Sequence, residues 1–117
     1  MNIGIKRVYD EPSGNDGQRI LVDRLWPRGL KKQQARIDHW AKEIAPSTEL
    51  RRWYQHEPEK WYEFKRLYFE ELNSNNDCVL KLINIINNKT STLLFSSREL
   101  RLNNAVALKE YLLTYQA

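Results

Sequence analysis

The run Ile20-Leu21-Val22, followed at once by Asp23-Arg24-Leu25-Trp26-Pro27-Arg28-Gly29, constrains this chain more than any other stretch. A short apolar run bounded by a turn signal reads as a buried strand. Pro27 lacks the N–H donor that a central strand requires, so the strand ends before it. At its carboxyl end it therefore delivers two guanidiniums, a carboxylate and an indole, all within the seven residues 23–29.

The remaining chain is read against that strand. Residues 3–10 alternate well enough for a first strand, with Ile3 and Ile5 as apolar members. Residues 12–17, Pro-Ser-Gly-Asn-Asp-Gly, have the composition of an exposed loop, and residues 19–25 form the second strand. Ile37, Trp40, Ala41 and Ile44 recur at helical spacing and predict a short helix closed by Pro46. Ser47 is placed to cap another through about Gln55, carrying Leu50 and Trp53. Pro58 suits the first position of a third, whose stripe is Trp61, Phe64, Tyr68 and Leu72. After the polar break at residues 73–77, Val79, Leu82, Ile83 and Ile86 mark a fourth. Thr92-Leu93-Leu94-Phe95 predicts a third strand within residues 90–97, and a loop covers 98–102. Asn103 can cap a final helix with Ala105, Leu108, Leu112 and Tyr115 on one side.

Long connections between strands favour parallel pairing with helices laid over the sheet. The expected fold class is α/β: a small parallel-type sheet of about three strands flanked by about five helices, in a single three-layer domain over residues 1–117.

Composition narrows the function classes. No apolar run approaches the length of a spanning helix and the amino terminus lacks the apolar stretch of a signal peptide, so no membrane partner and a cytoplasmic location are expected. Cys78 is the only cysteine, which excludes an internal disulfide and a cysteine-rich metal site. His39 and His56 lack the i, i+4 spacing of a helical metal pair, so no metal ligands are assigned. The formal net charge is +4, unevenly spread: residues 24–42 carry Arg24, Arg28, Lys31, Lys32, Arg36 and Lys42 against Asp38 alone. Such a stripe can steer an anion or simply be a solvated face.

Ligands of open α/β sheets settle outside the carboxyl ends of the strands. That rule selects Asp10 after the first strand, Asp23, Arg24, Trp26 and Arg28 after the second, and Arg98, Glu99, Asn103 and Asn104 after the third. Arg24, Arg28 and Arg98 are candidates for a clamp on phosphate or carboxylate, because a guanidinium grips either with two parallel hydrogen bonds and stays charged. Trp26 could stack on a planar ligand. Asp23, Glu99 and His56 are the candidate proton carriers. Each also has a structural reading, Asp23 and Arg24 as a pair pinning a loop and Trp40 or Trp61 as core.

The motifs also carry a resemblance. Lys6-Arg7-Val8-Tyr9-Asp10, Val22 to Gly29, Trp40 with Lys42-Glu43, Ala45 to Arg51, the later Trp53, His56, Pro58, Trp61, Phe64, Tyr68 and Glu71-Leu72, and Asn103-Asn104-Ala105-Val106 resemble the YeaO-like family of uncharacterised bacterial proteins. The resemblance spans nearly the whole chain and implies a small bacterial α/β domain with no established activity. Where that family tends to have acidic residues and a histidine before the asparagines, this chain has Leu100, Arg101 and Leu102, which leaves His56 as the histidine candidate.

Three function classes follow. The first is a site for an anionic small molecule, either binding or enzymatic, with no cofactor assigned. The second is a nucleic-acid-binding module using residues 24–42 and a tryptophan. The third is a protein-interaction domain.

Overall fold

The computed structural model describes residues 1–115. Four strands, β1 (Ile3–Arg7), β2 (Gln18–Leu21), β3 (His39–Trp40) and β4 (Ser91–Phe95), form one sheet in the order β1-β4-β2-β3, and every pairing is parallel. Five α-helices accompany them: α1 (Lys32–Ala35), α2 (Thr48–Tyr54), α3 (Trp61–Asn73), α4 (Asn76–Ile86) and α5 (Asn104–Thr114).

Alternation along the central strands sorts the core into two unequal parts. Ile20 and Leu93 stand side by side and pack with Val22 and Phe95 into the larger cluster, covered by α2, α3, α4 and α5. Their neighbours Leu21 and Leu94 project to the other face, where Val8 and Ala35 meet them and Trp26, Leu30 and Ile37 complete a thin cover. The helices are set by local signals. The Ser47 hydroxyl accepts the Leu50 N–H at the start of α2, Pro58 opens the 3-10 turn that leads into α3, and the Asn103 side chain accepts the Val106 N–H at the start of α5.

Two expectations are corrected. The sheet has four strands, because the segment predicted as a helix through Ile37, Trp40, Ala41 and Ile44 contains β3 and a 3-10 turn at Lys42–Ile44. Its apolar residues serve two cores, Ile37 packing under one face of the sheet while Ala41 and Ile44 join the cluster on the other. Its backbone is meanwhile held to β2, with the Asp38 N–H donating to Arg19 O, the Asp38 carboxylate accepting the Arg19 N–H and the Ala41 N–H donating to Leu21 O. The second correction is to the strand expected over residues 19–25. β2 ends at Leu21, after which only the Val22 N–H still reaches across, to Leu94 O.

Candidate functional site

The connections after the two central strands leave on opposite faces. The chain after β2 runs to α1 in the thin cover, while the chain after β4 runs to α5 in the main core. Adjacent strands whose connections diverge open a crevice at their carboxyl ends. A cavity of about 330 Å3 lies there, with Asp23 and Arg24 contributed after β2, Ser96 and Ser97 after β4, and Asn104 from the first turn of α5. α2 and its continuation supply Arg51, Tyr54 and His56, while Phe64 of α3 and the Ala45-Pro46 segment form the rest of the wall.

Asp23 organises the floor. Its Oδ2 accepts the Ser96 N–H at 2.8 Å and the Ser96 hydroxyl at 2.7 Å, and its Oδ1 accepts from Asn104 Nδ2 at 3.0 Å. Asn104 also donates to Val22 O, and the Trp40 indole N–H donates to Asp23 O. From the other side Arg7 donates to Ser97 O and Ser96 O at 2.9 and 3.0 Å, so the turn after β4 is held between a carboxylate and a guanidinium. Asp23 is thus a tether between three chain segments. Asp23→Asn would set an amide against N–H or O–H donors, and we expect a loss of about 1 kcal/mol in urea unfolding, the cost of an unsatisfied half-buried polar group. A loss below about 0.5 kcal/mol would count against this assignment.

The cationic part of the wall consists of Arg24 and Arg51. Arg24 donates through Nε to Pro46 O and through Nη2 to Ala45 O, leaving Nη1 for another acceptor. Arg51 is exposed on α2 and makes no ion pair to a described residue. His56 follows Gln55, and both have positive φ, 55° and 48° respectively. These two left-handed residues end α2 and turn the imidazole to within 5.7 Å of the Tyr54 ring. Tyr54 donates its hydroxyl to Leu102 O at 2.7 Å. Burial, with the charge of Glu99 adding to it, pushes that hydroxyl's pKa up to about 12. Glu99 lies outside the lining; the Arg101 N–H above all holds its carboxyl below the usual range, with the Leu102 N–H and the nearby His56 adding to this.

Of the residues selected from sequence, the cavity brings together Asp23, Arg24, His56 and Asn104. The three-arginine clamp is not assembled. Arg28 is exposed beyond buried Pro27 with its carbonyl accepting the Tyr9 hydroxyl, and Arg98 is exposed on the loop after β4; neither lines the cavity. Trp26 turns away from the cavity, donating its indole N–H to Leu30 O and packing edge-on against Trp40 at 5.3 Å. Asp10 is exposed beside a separate hollow lined by Arg7 and Leu100. Asn103 is fully buried as the cap of α5, its amide also donating to Glu99 O. Arg51 and Tyr54 were not selected, since a rule about strand ends does not see a helix that arches over the crevice. Their spacing of three on α2, beside buried Leu50, was the available signal.

Fold and site together define a small parallel α/β domain with a switch-point crevice roofed by one short helix. The family described as "Inactive DUF488-N3 subclade" matches residues 2–117, and the chain belongs to it. It is similar to the uncharacterized protein YeaO of Escherichia coli (strain K12), with 44% identity over 112 residues covering 96% of this chain and 97% of that one. It is also similar to an uncharacterized protein of Mycobacterium bovis, with 48% identity over 73 residues and 62% of each chain covered. No solved structure matches the chain. No helix of the described residues is long and apolar enough to cross a membrane, and no group of three or more His, Cys, Asp or Glu among them is placed to hold a metal ion.

Proposed function

We propose that this chain binds a small molecule through an anionic group, a carboxylate or a phosphate, and performs no chemistry on it. The observation that carries this reading is the cavity at the β2–β4 crevice, where Arg24, Arg51 and His56 converge and the one carboxylate in the lining, Asp23, is already taken up by Ser96 and Asn104. Small-molecule sites have this form, a mostly apolar hollow with a few placed polar groups. The lining holds no activated nucleophile. The Ser96 hydroxyl donates to Asp23, the Ser97 hydroxyl accepts the Glu99 N–H, and Tyr54 keeps its proton at neutral pH. The word "inactive" in the family's description agrees with a binding role.

The test is a thermal-shift screen with phosphate, sulfate and small carboxylates, followed by titration of any hit. Arg51→Gln is expected to weaken binding about tenfold, ~1.4 kcal/mol. Because the side chain is exposed, the same change should move stability by less than about 0.5 kcal/mol. A melting temperature unmoved by every anion at millimolar concentration would refute the reading.

A second reading rests on the exposed basic segment. Arg28, Lys31, Lys32, Arg36 and Lys42 face solvent, and Lys42 Nζ lies 5.2 Å from the ring of Trp40, itself 39% exposed. Single-stranded nucleic acid would be held by such charges with stacking on the indole, and its affinity would fall steeply with salt. The absence of binding at low salt would dispose of it.

A further inference from the structure

We infer that the cavity's ligand is a singly charged carboxylic acid on a flat apolar body of one or two rings; this rests on the anion-binding reading above and goes further by fixing the ligand's charge and shape. Three observations lead to it.

The first is charge. Arg24 and Arg51 bring two permanent positive charges to the lining, beside the His56 imidazole, and Asp23 removes one. What remains balances one negative charge. A second charge on the ligand would face the Asp23 carboxylate with no further guanidinium to offset it. Arg24 has already committed Nε and Nη2 to the carbonyls of Pro46 and Ala45, so the anionic head is shared between Arg24 Nη1 and Arg51. Two oxygens of a carboxylate suffice for that geometry.

The second is the aromatic wall beside the arginines. Tyr54 and Phe64 are stacked with ring centroids 4.2 Å apart, and each is almost wholly buried. The Tyr54 hydroxyl is spent on Leu102 O, so this wall presents ring carbon to the cavity, and Ala45 and Pro46 continue it. Aromatic walls favour flat rings through offset or edge contacts.

The third is size. The cavity of about 330 Å3 lies at the small end of the range for organic ligands. One or two rings bearing a carboxylate match it. A nucleoside carrying a phosphate chain exceeds it in charge.

The experiment is calorimetric titration and amide-shift mapping of the full chain at neutral pH with five probes: benzoate, acetate, benzyl alcohol, phenyl phosphate and inorganic phosphate. Benzoate should bind at least tenfold more tightly than acetate or benzyl alcohol and more tightly than phenyl phosphate, moving the amides of Ser97, His56 and Asn104. Arg51→Gln should weaken benzoate about tenfold and leave benzyl alcohol unchanged. Arg28→Gln, which changes an exposed arginine outside the cavity, should leave benzoate within twofold. If phenyl phosphate or inorganic phosphate binds as tightly as benzoate, or acetate equals it, the inference falls while the anion site stands. A loss of benzoate binding in Arg28→Gln equal to that in Arg51→Gln also overturns it, since general surface charge would then be the contact. If no anion moves the cavity amides, both readings fall.

Discussion

Replacing Gly17 with alanine is expected to destabilise the fold by about 3 kcal/mol or more, combining left-handed backbone strain with a clash against main chain. Gly17 has φ 63° and ψ −137°, a combination that side chains other than hydrogen disfavour. A Cβ built there would run into the carbonyl of Thr90. That carbonyl cannot retreat, because it accepts the Gln18 N–H at 2.9 Å and leads directly into β4. Asparagine should be no better, since its tolerance is for the left-handed helical region and ψ −137° lies far from it. Gly29 is the internal control. It also has positive φ, 75°, but a Cβ there meets nothing within 4 Å, so Gly29→Ala should cost only about 1 kcal/mol. Urea unfolding of the two variants side by side settles the matter. A Gly17→Ala cost no larger than that of Gly29→Ala would show that the Thr90 contact yields.

Asp16→Asn should cost a further large amount, about 3 kcal/mol at neutral pH, as expected when one member of a buried ion pair is removed. The Asp16 carboxylate accepts from Arg19 Nη1 at 2.6 Å, from the Ser13 N–H at 3.0 Å and from Lys6 Nζ at 3.2 Å. Arg19 is only 4% exposed and spends Nε and Nη2 on Ala35 O, so the variant leaves a buried guanidinium with no anion. Burial pushes the Asp16 carboxyl up, but the Ser13 N–H and then Arg19 and Lys6 outweigh it and hold the carboxyl below its ordinary value of 3.8. A folded-state pKa below the unfolded one contributes stability that is complete above the unfolded value and lost as pH falls through the folded value. The stability gap between wild type and Asp16→Asn should therefore be widest near neutrality and close below about pH 4. Measured by urea unfolding, a gap that stays constant from pH 7 to pH 3 would contradict this account. The cluster lies at the amino ends of β2 and β4, away from the cavity, so ligand affinity in the folded variant should be unchanged.

The parts of the fold that were legible in the sequence are those set locally. Ser47, Pro58 and Asn103 announce their helices because capping and the proline ring act within one turn. Leu93 and Leu94 read as a strand because a run apolar on both faces suits burial within a sheet. β3 was illegible, since two residues carry no periodicity and its flanking apolar groups point into different cores. The same division runs through the candidate site. Asp23, Arg24 and Asn104 were found by their position after strands. His56 came from the family resemblance, as the candidate that remains where the usual histidine is replaced by Leu100 to Leu102, and the two left-handed residues that aim it were not foreseen. Arg28 and Arg98 satisfied the same positional rule, but which way a side chain turns depends on tertiary neighbours. Burial of Pro27 and the bond from Tyr9 to the Arg28 carbonyl carry that arginine outward.

β4 comes last among the described strands in chain order, yet it lies between β1 and β2 and is β1's one partner in the sheet. A nascent chain that stops short of Ser91 therefore leaves the ribosome with Ile3 to Arg7 unpaired and with β2 joined only to the two residues of β3. Throughout most of translation the apolar run at Ile20 to Val22 has lost neither its exposure nor its tendency to associate with other chains. Arrival of β4 between β1 and β2, rather than the emergence of any earlier strand, is the event that completes the sheet.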